Sequence, residues 1–81
     1  MKKALVTGAS RGIGYAIAKK LSQGDCRVVI TGRNIDTLKC VADELGKNVF
    51  TMVWDASDFD KAEEKVNEAA DTLGGLDIVV N

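Results

Sequence analysis

A chain of 81 residues is one domain at most, and at that size only about 60–65% of the unfolded surface is buried on folding, so the core is thin. Eleven basic and twelve acidic residues leave a net charge of −1, which argues against nucleic acid as the main partner. Cys26 and Cys40 have no CxxC spacing and no histidine to complete a metal site. They read as free thiols of a cytoplasmic protein, and no apolar run reaches the length of a signal-peptide core or a membrane span.

The first element is "KKALVT", residues 2–7, a short apolar run that reads as a strand feeding a turn. Past Gly12, apolar residues at Ile13, Ala16, Ile17 and Leu21 recur at helical spacing and predict a helix buried on that side, with Gly24 ending it. "CRVVIT", residues 26–31, is continuous and β-branched, as in a strand buried on both faces. Asn34 is placed to cap the next helix, whose stripe is Leu38, Val41, Ala42 and Leu45 and whose close is Gly46. "NVFTMVW", residues 48–54, is a third strand. Ser57, with Asp60 three residues on, makes a capping-box pattern ahead of a helix that turns Phe59, Ala62, Val66, Ala69 and Leu73 inward. Gly74 and Gly75 stop that helix, and "LDIVVN", residues 76–81, is the fourth strand. Strand and helix alternating in units of about 25 residues is the sequence form of a parallel α/β sheet with right-handed crossovers.

Between the first strand and the first helix lies "VTGASRGIG", Val6 to Gly14. The start of a helix offers unpaired amides and the positive end of the macrodipole, a natural seat for phosphate. Gly8 permits a tight turn, Gly12 removes a side chain where a pyrophosphate would approach, and Gly14 allows close packing of helix on strand. The alternative is a tight turn with no ligand. No GK[ST] follows, so a nucleoside-triphosphate P-loop is excluded. Residues 1–33 carry seven cations against the single acid Asp25, so the basic third of the chain is the third that holds this loop.

"TGASRGIG" has the TGxxxGxG spacing of the short-chain dehydrogenase/reductase family, and the chain resembles that family in two further places. "DAS", Asp55 to Ser57, looks like its adenine-contacting turn, and "LDIVVN" looks like the strand leading into its Asn-Asn-Ala-Gly motif. The resemblance covers all 81 residues. It implies a Rossmann-type fold, of which residues 1–81 are the N-terminal βαβαβαβ portion with strand order 3-2-1-4 and a partial NADP-binding domain. It also implies that Gly8, Ser10, Arg11, Gly12, Ile13 and Gly14 surround the phosphates. The Asp55 carboxylate and the Ala56 amide then face the adenine, and Asn81 stands at the first Asn of the last motif.

An NAD site usually places an acid at the end of the second strand to hold the ribose 2′-hydroxyl. Here "VVITGRN" puts Gly32 at that place, so nothing repels a 2′-phosphate, and Arg33 and Arg11 are both placed to bind one. NADP(H) is therefore favoured over NAD(H). Asp25 precedes the strand and Asp36 lies in the next helix's first turn, where it complements the dipole. The bland alternative for Arg33 is a solvated side chain at a strand end.

The family's catalytic serine, tyrosine and lysine lie beyond the fourth strand, so the 81-residue chain is expected not to transfer hydride on its own. Tyr15 and Lys19 match YxxxK spacing. They sit in the first helix and are expected on its solvent face, since Ile13, Ala16, Ile17 and Leu21 define the other. With the 3-2-1-4 order, two helices cover one sheet face and one covers the other, which leaves the fourth strand as an open edge. Self-association by edge pairing or through the sparsely covered face follows as an expectation. The function expected is NADP(H) binding within an oxidoreductase. The alternatives are a standalone nucleotide-binding or interaction module and a disused fragment.

Overall fold

A computed structural model describes residues 1–9, 12–55 and 57–80 of the chain. The elements run β1 (Lys2–Val6), α1 (Gly12–Gln23), β2 (Cys26–Gly32), α2 (Ile35–Leu45), β3 (Val49–Val53), α3 (Ala62–Leu73) and β4 (Ile78–Val80), with a 3₁₀ turn over Phe59–Lys61 before α3. The four strands form one parallel sheet in the order β3-β2-β1-β4. The expected Rossmann-type α/β arrangement is therefore present, and each strand lies within or one residue beyond the run that predicts it.

Alternation along the strands divides the core in two, because successive side chains point to opposite faces. Ala4, Val6, Val28, Ile30 and Val49 pack with Ala18 of α1 and with Leu38 and Val41 of α2. Leu5, Val29 and Met52 meet Ala69 and Leu73 of α3. Two helices thus cover one face and a single helix the other. Leu5, Ile30, Leu38 and Leu73 are the largest fully buried side chains, each worth about 1.5–3 kcal/mol in transfer from water.

The helix ends follow their local chemistry. Asn34 caps α2 by accepting from the amides of Asp36 (2.9 Å) and Thr37 (3.2 Å), and the Gly46 amide donates to the Ala42 carbonyl. Gly74 closes α3 in the left-handed conformation at φ 80°. Gly24 follows α1 and its amide donates to the Leu21 carbonyl, but its φ is not positive. α3 has no basic residue in its own last turn. Two strands supply cations instead: Arg27 Nη1 donates to the Leu73 carbonyl at 3.2 Å, and Lys3 Nζ to that of Gly74 at 3.2 Å. Positive charge there complements the negative end of the helix dipole.

Two expected helix faces are corrected. In α1, Ile13 is 81% exposed and Ala16 is exposed, while Ala18 is buried and Tyr15, Ile17 and Leu21 pack against the core. The phase is set by Gly14, whose backbone must face the preceding loop. Positions 17, 18 and 21 then follow it inward at i+3, i+4 and i+7. Tyr15 is accordingly half-buried rather than on the solvent face, and its hydroxyl donates to Glu44 of α2, while Lys19 is exposed as expected. In the second case Phe59 is 80% exposed. Ser57 does not cap α3: its amide and hydroxyl both donate to Asp55 Oδ1, at 3.0 and 2.7 Å. The 3₁₀ turn then delays the helix to Ala62, and the stripe begins with half-buried Ala62 and Val66.

Candidate functional site

All four strands are parallel, so their C-terminal ends share one edge of the sheet, and the loops that leave them are tied together there. The Thr7 amide donates to the Val80 carbonyl at 2.9 Å, joining β1's exit to β4. Ala9 donates to the Thr31 carbonyl at 3.1 Å, joining the same loop to β2. Trp54 donates to the Gly32 carbonyl at 2.9 Å, joining β2 to β3. Strand order reverses at β1, which has β2 on one side and β4 on the other. Open α/β sheets bind ligands at such a switch point, outside the carboxyl ends of the strands.

The glycine loop crosses this point. Gly8 (φ 63°) and Gly12 (φ 69°) both lie in the left-handed region, where a Cβ is strained, and among the described residues nothing lies within 4 Å of where a Cβ would stand on either. Gly14 differs: a Cβ there would stand 2.5 Å from the Gly8 carbonyl oxygen and 3.1 Å from Ala9 Cα. Gly14 therefore lets the first turn of α1 rest on the loop, and no described residue crowds Gly8 or Gly12 in front of it. The amides of a helix's first turn and the clearance from described residues beside Gly12 suit an anionic group such as a diphosphate. Ile13, beside Gly12, exposes its side chain.

At the end of β2, Gly32 is followed by exposed Arg33, and no carboxylate stands at that strand's tip. Past β3, Asp55 is exposed, and the two bonds from Ser57 hold its carboxyl below the ordinary value of 3.8, with a smaller contribution from the Arg33 charge. Asp55 is thus ionised at neutral pH, and Arg33 is near enough to feel it. Trp54 is nearly buried, and its Nε1 donates to the Asp58 carbonyl at 3.3 Å, which pins the β3 exit loop. Thr31 is fully buried and its hydroxyl finds no hydrogen-bond partner among the described residues.

The structure brings Gly8, Gly12, Ile13, Gly14, Arg33 and Asp55 to the sheet's C-terminal edge. Ser10, Arg11, Ala56 and Asn81, which the sequence also nominates, lie outside the described residues. Sequence reading passed over Thr7 and Trp54, which lace the edge together. "VTG" and "VWD", apolar-to-glycine and apolar-to-acid junctions at strand ends, were the available signals. No helix is long and apolar enough to cross a membrane, and no group of three or more potential metal ligands occurs, among the described residues.

The short chain dehydrogenase family model matches residues 2–81. An uncharacterized oxidoreductase of Staphylococcus aureus is 43% identical over 81 residues, which is 99% of this chain and 35% of that protein. The 3-oxoacyl-(acyl-carrier-protein) reductase FabG of Buchnera aphidicola is 40% identical over 80 residues, 99% of this chain and 33% of the reductase. A crystallised protein of Sinorhizobium meliloti assigned as a short-chain alcohol dehydrogenase superposes with a TM-score of 0.84 at 36% identity, covering 96% of this chain and 32% of its own. The chain therefore spans about a third of the length of these relatives. With the family matched across nearly every residue and the sheet order and glycine loop in agreement, this chain belongs to the short-chain dehydrogenase family.

Proposed function

We propose that this chain is the dinucleotide-holding portion of an NADP(H)-dependent short-chain oxidoreductase. Hydride exchange with a carbonyl or alcohol is the chemistry that the dinucleotide supplies when bound; the residues here hold and select it. In this reading Gly8, Ser10, Arg11, Gly12, Ile13 and Gly14 surround the diphosphate, with the α1 amides donating to it. Arg33, with Arg11, binds the 2′-phosphate. Asp55 and Ala56 face the adenine, and Asn81 belongs to the motif that follows β4. The observation that carries the reading is the pair of left-handed glycines, Gly8 and Gly12, neither crowded by any described residue, at the start of a helix. The choice of NADP(H) is supported by a glycine rather than an acid at the tip of β2, next to an exposed arginine.

Side-by-side titration of the chain with NADPH and NADH tests it. NADPH is expected to bind more tightly, and Arg33→Ala to weaken NADPH by about tenfold with little effect on NADH, as for one lost charge-assisted hydrogen bond. Preference for NADH, or indifference to Arg33, overturns the cofactor choice. The same reading holds that these 81 residues alone do not reduce a carbonyl, which NADPH consumption with a carbonyl acceptor checks. Self-association through β4 is part of the proposal: among the described residues β4 pairs only with β1, and Val79 is 49% exposed. A cytoplasmic location is also proposed, in keeping with the free thiols of Cys26 and Cys40.

A further inference from the structure

Gly32 is a glycine for a reason its backbone does not supply. Its φ is not among the positive values found at Gly8, Gly12, Gly46, Gly74 and Gly75, and it sits in a regular ladder opposite Val53. An L-residue could adopt that conformation without strain. The obstacle is spatial: a Cβ at position 32 would stand 3.2 Å from Leu38 Cδ2, 3.5 Å from Cγ and 3.8 Å from Cδ1. Leu38 has little room to yield. It is fully buried among Ile30 and Val41, and it stands in the first turn of α2, pinned by the Asn34 cap and by its own amide donating to the Asn34 carbonyl at 3.1 Å. Close-packed interiors resist added atoms at such a contact.

We propose that Leu38 is a specificity-determining residue of this chain: its side chain crowds the place that the Cβ of any residue but glycine would take at position 32, and so disfavours there the acid that would hold a ribose 2′-hydroxyl. This deepens the NADP(H) reading above and rests on it. Position 32 itself is thereby kept without an acid where α2 packs against the sheet, and Arg33 follows it, within reach of the Asp55 charge. The absence of an acid at position 32 is then a property of the core, through its contact with Leu38.

The experiment has a packing arm and a binding arm, both on the full 81-residue chain. In thermal unfolding, Gly32→Ala is expected to lower Tm by about 5 °C, the cost of an overpacked contact in a domain of this size. Combined with Leu38→Val, or with Leu38→Met, which keeps the volume and so the fold, the same alanine is expected to cost less than half as much. An unchanged Tm for Gly32→Ala, or strictly additive losses in both backgrounds, overturns the proposal. In NADH titration, Gly32→Asp alone is expected to gain little, and Gly32→Asp with Leu38→Val about tenfold, as for one charge-assisted hydrogen bond. An equal gain by Gly32→Asp alone also overturns it. If the unaltered chain takes up neither dinucleotide, the cofactor reading fails, and the packing arm still decides whether Leu38 excludes a side chain at position 32.

Discussion

Gly14 joins two elements by having nothing to contribute. A methyl group there would meet the Gly8 carbonyl at 2.5 Å, and backbone cannot swing aside as a side chain can. Gly14→Ala should therefore cost about 1–3 kcal/mol as the loop and the first turn of α1 separate, read as a lower midpoint in chemical denaturation. A loss near zero would mean that the turn adjusts freely. The same turn is braced on its other side by Tyr15, whose hydroxyl donates to Glu44. That bond, with the neighbouring negative charge, raises the tyrosine above its ordinary 10.0. Because the folded value is the higher one, the bond's contribution is complete below pH 10 and fades as pH rises through the folded value. The stability gap between the native chain and Tyr15→Phe should thus close on the alkaline side, followed by denaturant midpoints at successive pH. Asp55 has the opposite sign. Its lowered value means that the contribution of the Ser57 bonds is complete above 3.8 and is lost as pH falls below that.

Each element is defined as much by its neighbours as by its own residues. α3 is the clearest case: it carries Glu63 and Glu64 in its first turn, where they favour the positive end of the dipole, and nothing basic in its last. Arg27 of β2 meets that need while its guanidinium lies 5.2 Å from the centre of the Phe50 ring on β3. One side chain thereby holds α3 to two strands. Arg27→Ala should destabilise the fold by about 1–3 kcal/mol through the lost carbonyl bond and the ring contact, and Arg27→Lys should recover less than half of it, since an ammonium lacks the planar stacking surface. Thermal unfolding of the two variants separates these contributions. At the level of elements the sequence was also most legible. All four strands, the Asn34 cap and the glycine stops at positions 46 and 74 could be read from punctuation and apolar runs, because those signals act within a few residues. The inward face of α1 could not. Ile13 and Ala16 have the right spacing, but the helix is rotated by a backbone contact at Gly14 that spacing does not encode. Phe59 was misread for a related reason: the bonds from Ser57 to Asp55 draw that loop into a turn of its own before the helix begins.

Over the whole molecule the asymmetry lies in the covering of the sheet. α1 and α2 shield one face, α3 the other, and β4 forms an outer edge with half of Val79 exposed. Unpaired strand edges invite pairing, so the proposed self-association should appear in light scattering as a mass that rises with concentration. Val79→Lys should lower that mass while leaving the unfolding midpoint within about 0.5 kcal/mol, as expected for a change at an exposed position. A monomer at all concentrations would remove the proposal. Charge is divided as well. The acids of residues 60–71 lie along the outside of α3, where Asp60, Glu63, Glu64, Glu68 and Asp71 line a single groove, while Arg33 stands at the C-terminal edge with the glycine loop. An anionic ligand is thereby disfavoured along α3.

By itself the sequence determined the alternation of strands and helices, most of their stops and caps, and the glycine spacing from which the family can be read. These depend on local backbone preference and on residues a few positions apart. The tertiary structure alone decided which side of α1 is buried, what completes the end of α3, and why position 32 has no side chain. In each of these the controlling partner, the Gly8 carbonyl, Arg27 or Leu38, comes from another element, and only folding brings it within a few ångströms.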